Sequence, residues 1–364
     1  MNRKEIREKK KELNVLNDVI TIVNQYFPLL INKFEGLTDL RHQSYVTYKM
    51  KVIFMVRLMA LMCEIKLMQE ITREFNTEAA IENIATISGL TLEEIPHCDT
   101  INDVFRNVNV SEIEEIRKYM IVKMIRNKML SRFKIRGQYY HIIVDGTGLA
   151  TSKKKYNENC LIKNKTDKNG NEYQEYSTYV LEAKLVIGDM VFSIGSEFVE
   201  NERENVDKQD CETKAFKRLA EKIKKEYPKL RIIISGDALY ASKPVMDICK
   251  EYNWKYIIRF KEGAIPTLYR EFETVVKIEN EGFYIQKNGT FDIGHLYSKD
   301  TTAIKVHYLM IQIAHIIRQL LENGIKEIKE LKLKLKEISQ QIKTMLISTI
   351  PNLTVHRKVQ LRFD

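Results

Sequence analysis

The chain has 364 residues, 44% of them hydrophobic and 30% charged, which is the composition of an ordinary soluble globular protein with room for two or three domains. Lysine plus arginine (59) exceed aspartate plus glutamate (49) by 10, a balance that favours a polyanionic partner such as nucleic acid without requiring one. Five scattered cysteines with no C-x-x-C pair exclude a disulfide framework and a zinc module and fit a reducing cytoplasm, while a charged start and a longest apolar stretch of about twelve residues, interrupted by Arg57, argue against export and a membrane span.

Residues 1 to about 135 show no convincing strand and read as helices. Val52, Ile53, Met55, Val56, Met59, Ala60, Met62 and Cys63 recur at helical spacing, so a helix buried on a broad face is expected there. Met55, Met59, Met62 and Met68 read as core filler. Residues 78–87 and 111–130 are two further amphipathic helices, the second with Ser111 and Glu114 spaced as a capping box. Between them Pro96 stops one helix, and Asp99 or Thr100 can cap the next. His97 and Cys98 suggest a metal-ligand pair, but nothing near them in sequence completes a set, so a turn is the expectation.

At residue 139 the pattern changes. Residues 139–145 (YYHIIVD, then Gly146-Thr147-Gly148) and 231–237 (RIIISGD, then Ala-Leu-Tyr) are short, β-branched and bounded by glycine, so each reads as a buried strand ending on an aspartate, Asp145 and Asp237. A carboxylate there is costly to desolvate unless a cation or donors meet it, and strand ends are where open sheets present ligands. Asp after a strand is also common because it suits the turn that follows. Between the two runs lie Lys153, Lys154 and Lys155, which read either as a solvated loop or as phosphate contacts beside Asp145. A turn at residues 167–170, strand-like runs at 177–187 and 190–198 joined by Gly188-Asp189, a charged segment with Glu197, Glu200, Glu202, Glu204 and Asp207, and a helix over 210–226 follow.

After the second aspartate run come a helix over 243–252 and a strand over 255–260. If that second run pairs parallel with the first, both aspartates emerge at neighbouring strand ends. About fifteen residues then lead to Val276-Lys-Ile-Glu279-Asn-Glu281, a helix over 301–321 is apolar on every side, and residues 324–347 carry a short heptad pattern that suits packing on the core better than self-association. No phosphate-loop, dinucleotide or nucleophile-elbow signature occurs.

Cutting or joining phosphodiesters calls for two divalent ions about 4 Å apart, held by a few carboxylates. Asp145 in IIVDGTG, Asp237 in ISGDALYA and the segment from Lys277 through Glu279 to Lys287 resemble the three-acid (DDE) core of insertion-sequence transposases of the insertion-sequence-4-like group. The resemblance runs over roughly residues 139–321. It implies an α/β, ribonuclease-H-like mixed sheet flanked by helices (136–322), preceded by an all-helical accessory region (1–135) and followed by C-terminal helices (323–364). It implies a metal triad of Asp145, Asp237 and Glu279 for two Mg²⁺ or Mn²⁺ ions, with Glu281 competing for the third place, and Lys287 on DNA, to which Lys153, Lys154 and Lys155 would add if they meet the phosphate backbone. The partners it implies are the element's terminal repeats and target DNA, bound by a homodimer. Val275-Val276 stand where the family has Arg-Trp, and the family's strand-rich insertion has no counterpart between 261 and 276. Three functions follow: an active transposase, an internally deleted copy that binds DNA without cutting it, or, ranked last, a ribonuclease-H-like nuclease with another substrate.

Overall fold

The computed structural model describes residues 3–201, 210–259, 298–348, 359–361 and 363. From the start of the described chain to Arg126 the long elements are helices: α1 (Arg3–Glu12), α2 (Val15–Tyr26), α3 (Leu30–Glu35), α4 (Met50–Met62), α5 (Met68–Phe75), α6 (Glu78–Ser88), α7 (Cys98–Asn107) and α8 (Val110–Arg126). Helix α4 buries every residue except Lys51, and Met55, Met59, Met62 and Met68 are all core residues. Two caps differ from the sequence expectation. His97, rather than Asp99 or Thr100, begins α7, its Nδ1 accepting from the Asp99 amide at 3.3 Å. Asn109, rather than Ser111, serves α8, because its Oδ1 accepts from the Ser111 amide (3.1 Å) and hydroxyl (2.8 Å). Helix α8 stops at Arg126 instead of 130, and Lys128 just beyond takes a left-handed φ of 56°.

The sheet is mixed. Its strands are β1 (Tyr140–Ser152), β2 (Leu161–Thr166), β3 (Glu172–Ile187) and β4 (Met190–Val199), then after α9 (Glu212–Glu226) β5 (Ile232–Gly236), and after α10 (Lys243–Glu251) β6 (Lys255–Ile258). The order is β2-β3-β1-β5-β6, with β4 beside β2 on the same edge of β3. β1 runs antiparallel to β3 and parallel to β5, and β5 runs parallel to β6. Helix α9 lies on the β3–β4 part of one face, where a side chain at Gly195 would meet Leu219 at 2.9 Å. Gly170 and Gly188 turn the two hairpins with φ of 86° and 56°, where a side chain would be strained.

One expectation about β1 fails. It does not end at Asp145 but continues to Ser152, paired with β3 from His141 onward with one shift of register between Gly148 and Ala150. Gly146 and Gly148 keep ordinary extended backbone, and Gly146 makes room for a neighbour rather than breaking the strand.

The C-terminal helices are α11 (Thr301–Gly324), α12 (Lys326–Glu330) and α13 (Leu335–Ser348). The chain divides into a helical unit, which takes in the chain up to Met124 and again from Asp300, and a unit from Ile125 that holds the sheet. Helix α11, expected in the sheet domain, instead packs among α2, α4 and α7 in the helical unit, where its apolar circumference is buried on every side. The heptad helix is not continuous: it breaks at Leu331, with Lys332 at φ 48°. Ile338, Ile342 and Leu346 of α13 are buried, and α13 rests on α2 and α6. Buried Arg318 ties α11 to α13, donating to Ser339 Oγ and the Leu335 carbonyl at 2.5 Å each.

Candidate functional site

The parallel pairing of β1 with β5 sets the geometry. Its last registered pair is Ile143 with Ser235, and two residues further along each chain stand Asp145 and Asp237. Adjacent strands lie about 4.8 Å apart, and the period-two alternation puts both aspartates on the face that also carries His141 and Ser235. His141 Nε2 and Ser235 Oγ are 2.8 Å apart, and burial lowers the His141 pKa. Asp237 is the true strand-end aspartate: β5 stops at Gly236, and Asp237 Oδ1 accepts from the Leu239 amide at 2.9 Å, starting the 3-10 turn Ala238–Tyr240. Across β1, Asp145 is directly opposite Glu182 of β3. Glu182 is buried, accepts from the Ser193 hydroxyl and has Lys184 Nζ at 3.8 Å.

A further carboxylate comes from α9, on the opposite face of β1 from the Asp145 side chain. Glu212, the first residue of that helix, sits over Gly146: a Cβ there would lie 2.6 Å from the Glu212 carboxyl. Buried Tyr240 donates its hydroxyl to Glu212 Oε2 at 3.0 Å and rests against Phe216 of α9. Gly236 admits that ring in the same way, since a Cβ there would lie 2.7 Å from Tyr240 Cδ2. Two glycines flanking the two aspartates, one after Asp145 and one before Asp237, therefore make the space that Glu212 and Tyr240 fill.

The electrostatics follow from that crowding. Burial raises the Asp145 carboxyl pKa, with Asp237 and Glu182 adding to the rise and Lys184 and the Gly146 amide opposing it. Burial likewise raises Glu212; Asp145 and Asp237 add to the rise, while the Tyr240 hydrogen bond and Lys163 oppose it. Burial and the Glu212 charge raise the Tyr240 hydroxyl, so it stays protonated as a donor. Among the described residues these carboxylates do not bring three ligand atoms within 4.8 Å of one another, so the crowding raises the cost of ionising Asp145 and Glu212 without assembling a closed metal site.

The other expected residues fare differently. Glu279, Glu281 and Lys287 lie outside the described residues. Lys153, Lys154 and Lys155 follow the end of β1, and Asp145 precedes that end by seven residues of extended chain, roughly 24 Å. They do not stand beside Asp145, because β1 runs on. Lys153 Nζ instead lies 4.6 Å over the Tyr173 ring. Of the acidic run, Glu197 is engaged by Arg218 (2.6 Å) and Lys222 (3.3 Å), holding β4 to α9, and Glu202, Glu204 and Asp207 lie outside the described residues. At α7 the expectation that nothing completes a set is overturned, since His97, Cys98 and Asp99 bring ligand atoms within 4.8 Å of one another. The cap that His97 makes on the Asp99 amide accounts for their closeness.

Sequence reading misses Glu182 and Glu212. Glu182 has a signal, a single acid inside the apolar run STYVLEAKLVI. Glu212 has none beyond its place in the first turn of a helix, where acids are common anyway.

Residues 31–120 match the family described as DDE_Tnp_1-associated. No curated protein matches the chain. Among solved structures, a piggyBac transposase synaptic complex with hairpin DNA aligns over 91% of this chain and 80% of its own, at 12% identity and a TM-score of 0.42, which is too distant to establish a common fold. Among the described residues no helix is long and apolar enough to cross a membrane.

Proposed function

We propose that this chain is a DDE-type DNA transposase of an insertion sequence, of the insertion-sequence-4-like group, hydrolysing the element's end and joining the freed 3′-hydroxyl to target DNA. The observation that supports it best is the level placement of Asp145 and Asp237 on adjacent parallel strands, where the Asp237 charge adds to the cost of ionising Asp145. The match of residues 31–120 to a DDE_Tnp_1-associated family supports the same class independently of the sheet. The mixed order, with β1 antiparallel to β3 and parallel to β5, agrees with a ribonuclease-H-like core.

Asp145 and Asp237 would hold the divalent ions, with Glu279 as the third acid that the family resemblance assigns. When bound, the ions supply an activated attacking oxygen and stabilise the leaving one. The protein's part is positioning. β1 and β5 fix the two carboxylates on one rim, Lys184 offsets part of the cost of ionising Asp145, and Lys153, Lys154, Lys155 and Lys287 meet the phosphate backbone.

The test is Mg²⁺-dependent nicking of a plasmid carrying the element's terminal repeats. Asp145→Asn and Asp237→Asn should each lower nicking by at least a hundredfold, and full nicking by either variant rejects the site. Repeat-specific, salt-sensitive binding with no cutting by the native chain would select the internally deleted, DNA-binding copy, and cutting without regard to the repeats would indicate a nuclease of another kind.

A further inference from the structure

We propose that the tip of the β2–β3 hairpin enters the major groove of duplex DNA and reads its sequence, with Asn164 and Gln174 on the base edges and Lys153 and Lys163 on the flanking phosphates. The inference rests on the transposase reading above for its partner and adds the part of the chain that selects the sequence. β1 ends at Ser152, opposite Tyr176, and β4 meets β3 only from Tyr179 onward. Among the described residues, 163–166 and 172–175 therefore form a two-stranded ribbon with no third strand beside it, and Lys163, Asn164, Lys165, Thr166, Glu172 and Gln174 are exposed along it. A ribbon of this kind is one of the two elements that fit a major groove about 12 Å wide.

The register divides the chemistry between the two faces. Lys163 pairs with Glu175 and Lys165 with Tyr173, whereas Asn164 pairs with Gln174 and Thr166 with Glu172, and cross-strand partners share a face. On the first face Lys153 and Lys163 stand over the Tyr173 and Tyr179 rings at 4.6 and 5.3 Å. An ammonium group already occupies a face of each ring, so this side suits phosphates better than stacked bases. The second face carries amides. Gln174 Nε2 approaches Asn164 Oδ1 at 3.5 Å, and Gln174 Oε1 accepts from the Tyr176 hydroxyl at 2.8 Å, so the two amides lie side by side under weak restraint. Each offers the donor and acceptor that match the major-groove edge of adenine. Charge favours the same partner: six lysines outnumber four acids between residues 153 and 175. Two of those acids are engaged locally, Asp167 by the amides of its own turn (2.8 and 2.9 Å) and Glu175 by Lys165 (2.6 Å). Lysines along the edge strand β2 also disfavour the other occupant, a second copy adding a strand there.

The experiment measures fluorescence anisotropy of a labelled terminal-repeat duplex and of a scrambled duplex of the same composition, with the full chain and with Asn164→Ala, Gln174→Ala and Lys163→Gln. All three side chains are exposed, so circular dichroism should show native folding. Asn164→Ala and Gln174→Ala should each weaken binding to the repeat about tenfold and to the scrambled duplex less than twofold. Lys163→Gln should weaken both duplexes alike and lower the slope of log affinity against log salt by about 0.9. Replacing the adenines of the repeat by 7-deazaadenine removes an acceptor from the major groove alone. It should weaken binding by the native chain and leave binding by the chain with both alanines unchanged. A preference for the repeat that survives both alanine variants, or a native chain indifferent to the adenine replacement or to scrambling, overturns the inference and leaves DNA as the partner. A native chain that binds neither duplex removes the transposase reading together with this one.

Discussion

Gly146 shows how much one absent side chain decides. Its backbone is ordinary extended chain, so alanine is conformationally acceptable, but the added methyl would stand 2.6 Å from the Glu212 carboxyl. The atom it meets is the end of a flexible side chain, so the carboxylate swings away and the fold survives. Gly146→Ala is therefore expected to cost less than about 1 kcal/mol in urea unfolding, and a loss well above that would mean that the Glu212 carboxyl is held too firmly to move aside. Asp145 and Asp237 differ in a related way: one is held in mid-strand by its pairing with Glu182, the other is held by capping a 3-10 turn. Neither aspartate has a cation within ion-pair distance among the described residues, which is why replacement by asparagine is expected to remove nicking without unfolding the sheet.

Helix packing supplies the pH dependence at the scale of elements. Glu74 at the end of α5 is paired with Lys343 of α13 at 3.0 Å, and that hydrogen bond, ahead of burial and Arg73, leaves the Glu74 carboxyl below its ordinary value of 4.5. A depressed carboxyl stabilises the folded state above its unfolded pKa and loses that contribution as pH falls through the folded one. Lys343→Met should thus lower the stability of the protein at pH 7 by up to about 1 kcal/mol, since both partners are partly exposed. At pH 3 most of that difference should be gone; a deficit that persists there would come from packing instead of charge. The broken heptad also reflects packing between helices. Ile328, Ile338, Ile342 and Leu346 are spaced for one helix, but the break at Leu331 lets α13 lie on α2 and α6 instead of projecting as a free coil.

For the whole molecule the excess of 10 positive charges is the feature that a DNA partner would read. The lysines at the tip of β1 stand far from the acids, next to a sheet arm whose Tyr173 and Tyr179 carry Lys153 and Lys163 over their rings at 4.6 and 5.3 Å. Such an arm suits the DNA backbone, not the reacting phosphate. Replacing Lys153, Lys154 and Lys155 by glutamine should reduce the slope of log affinity against log salt by about 0.9 for every phosphate that is no longer neutralised, with Mn²⁺ affinity unchanged. An unaltered slope would place the DNA elsewhere.

Local pattern by itself determined the helical first third, the two β-branched runs and the aspartates within or beside them, because 3.6- and 2-residue periodicity and turn chemistry are properties of neighbouring residues. It misjudges where those patterns stop. Gly146 reads as a strand end when it is a vacancy for Glu212, the lysines after β1 read as neighbours of an acid from which the continuing strand removes them, and α11 reads as part of the sheet domain although its evenly apolar surface needs helices all around it. Tertiary structure alone decided the partner of each acid. Whether Glu182 lies opposite Asp145 and Glu212 reaches Gly146 depends on strand register and on where a distant helix begins, and neither quantity is encoded in the spacing of residues along the chain.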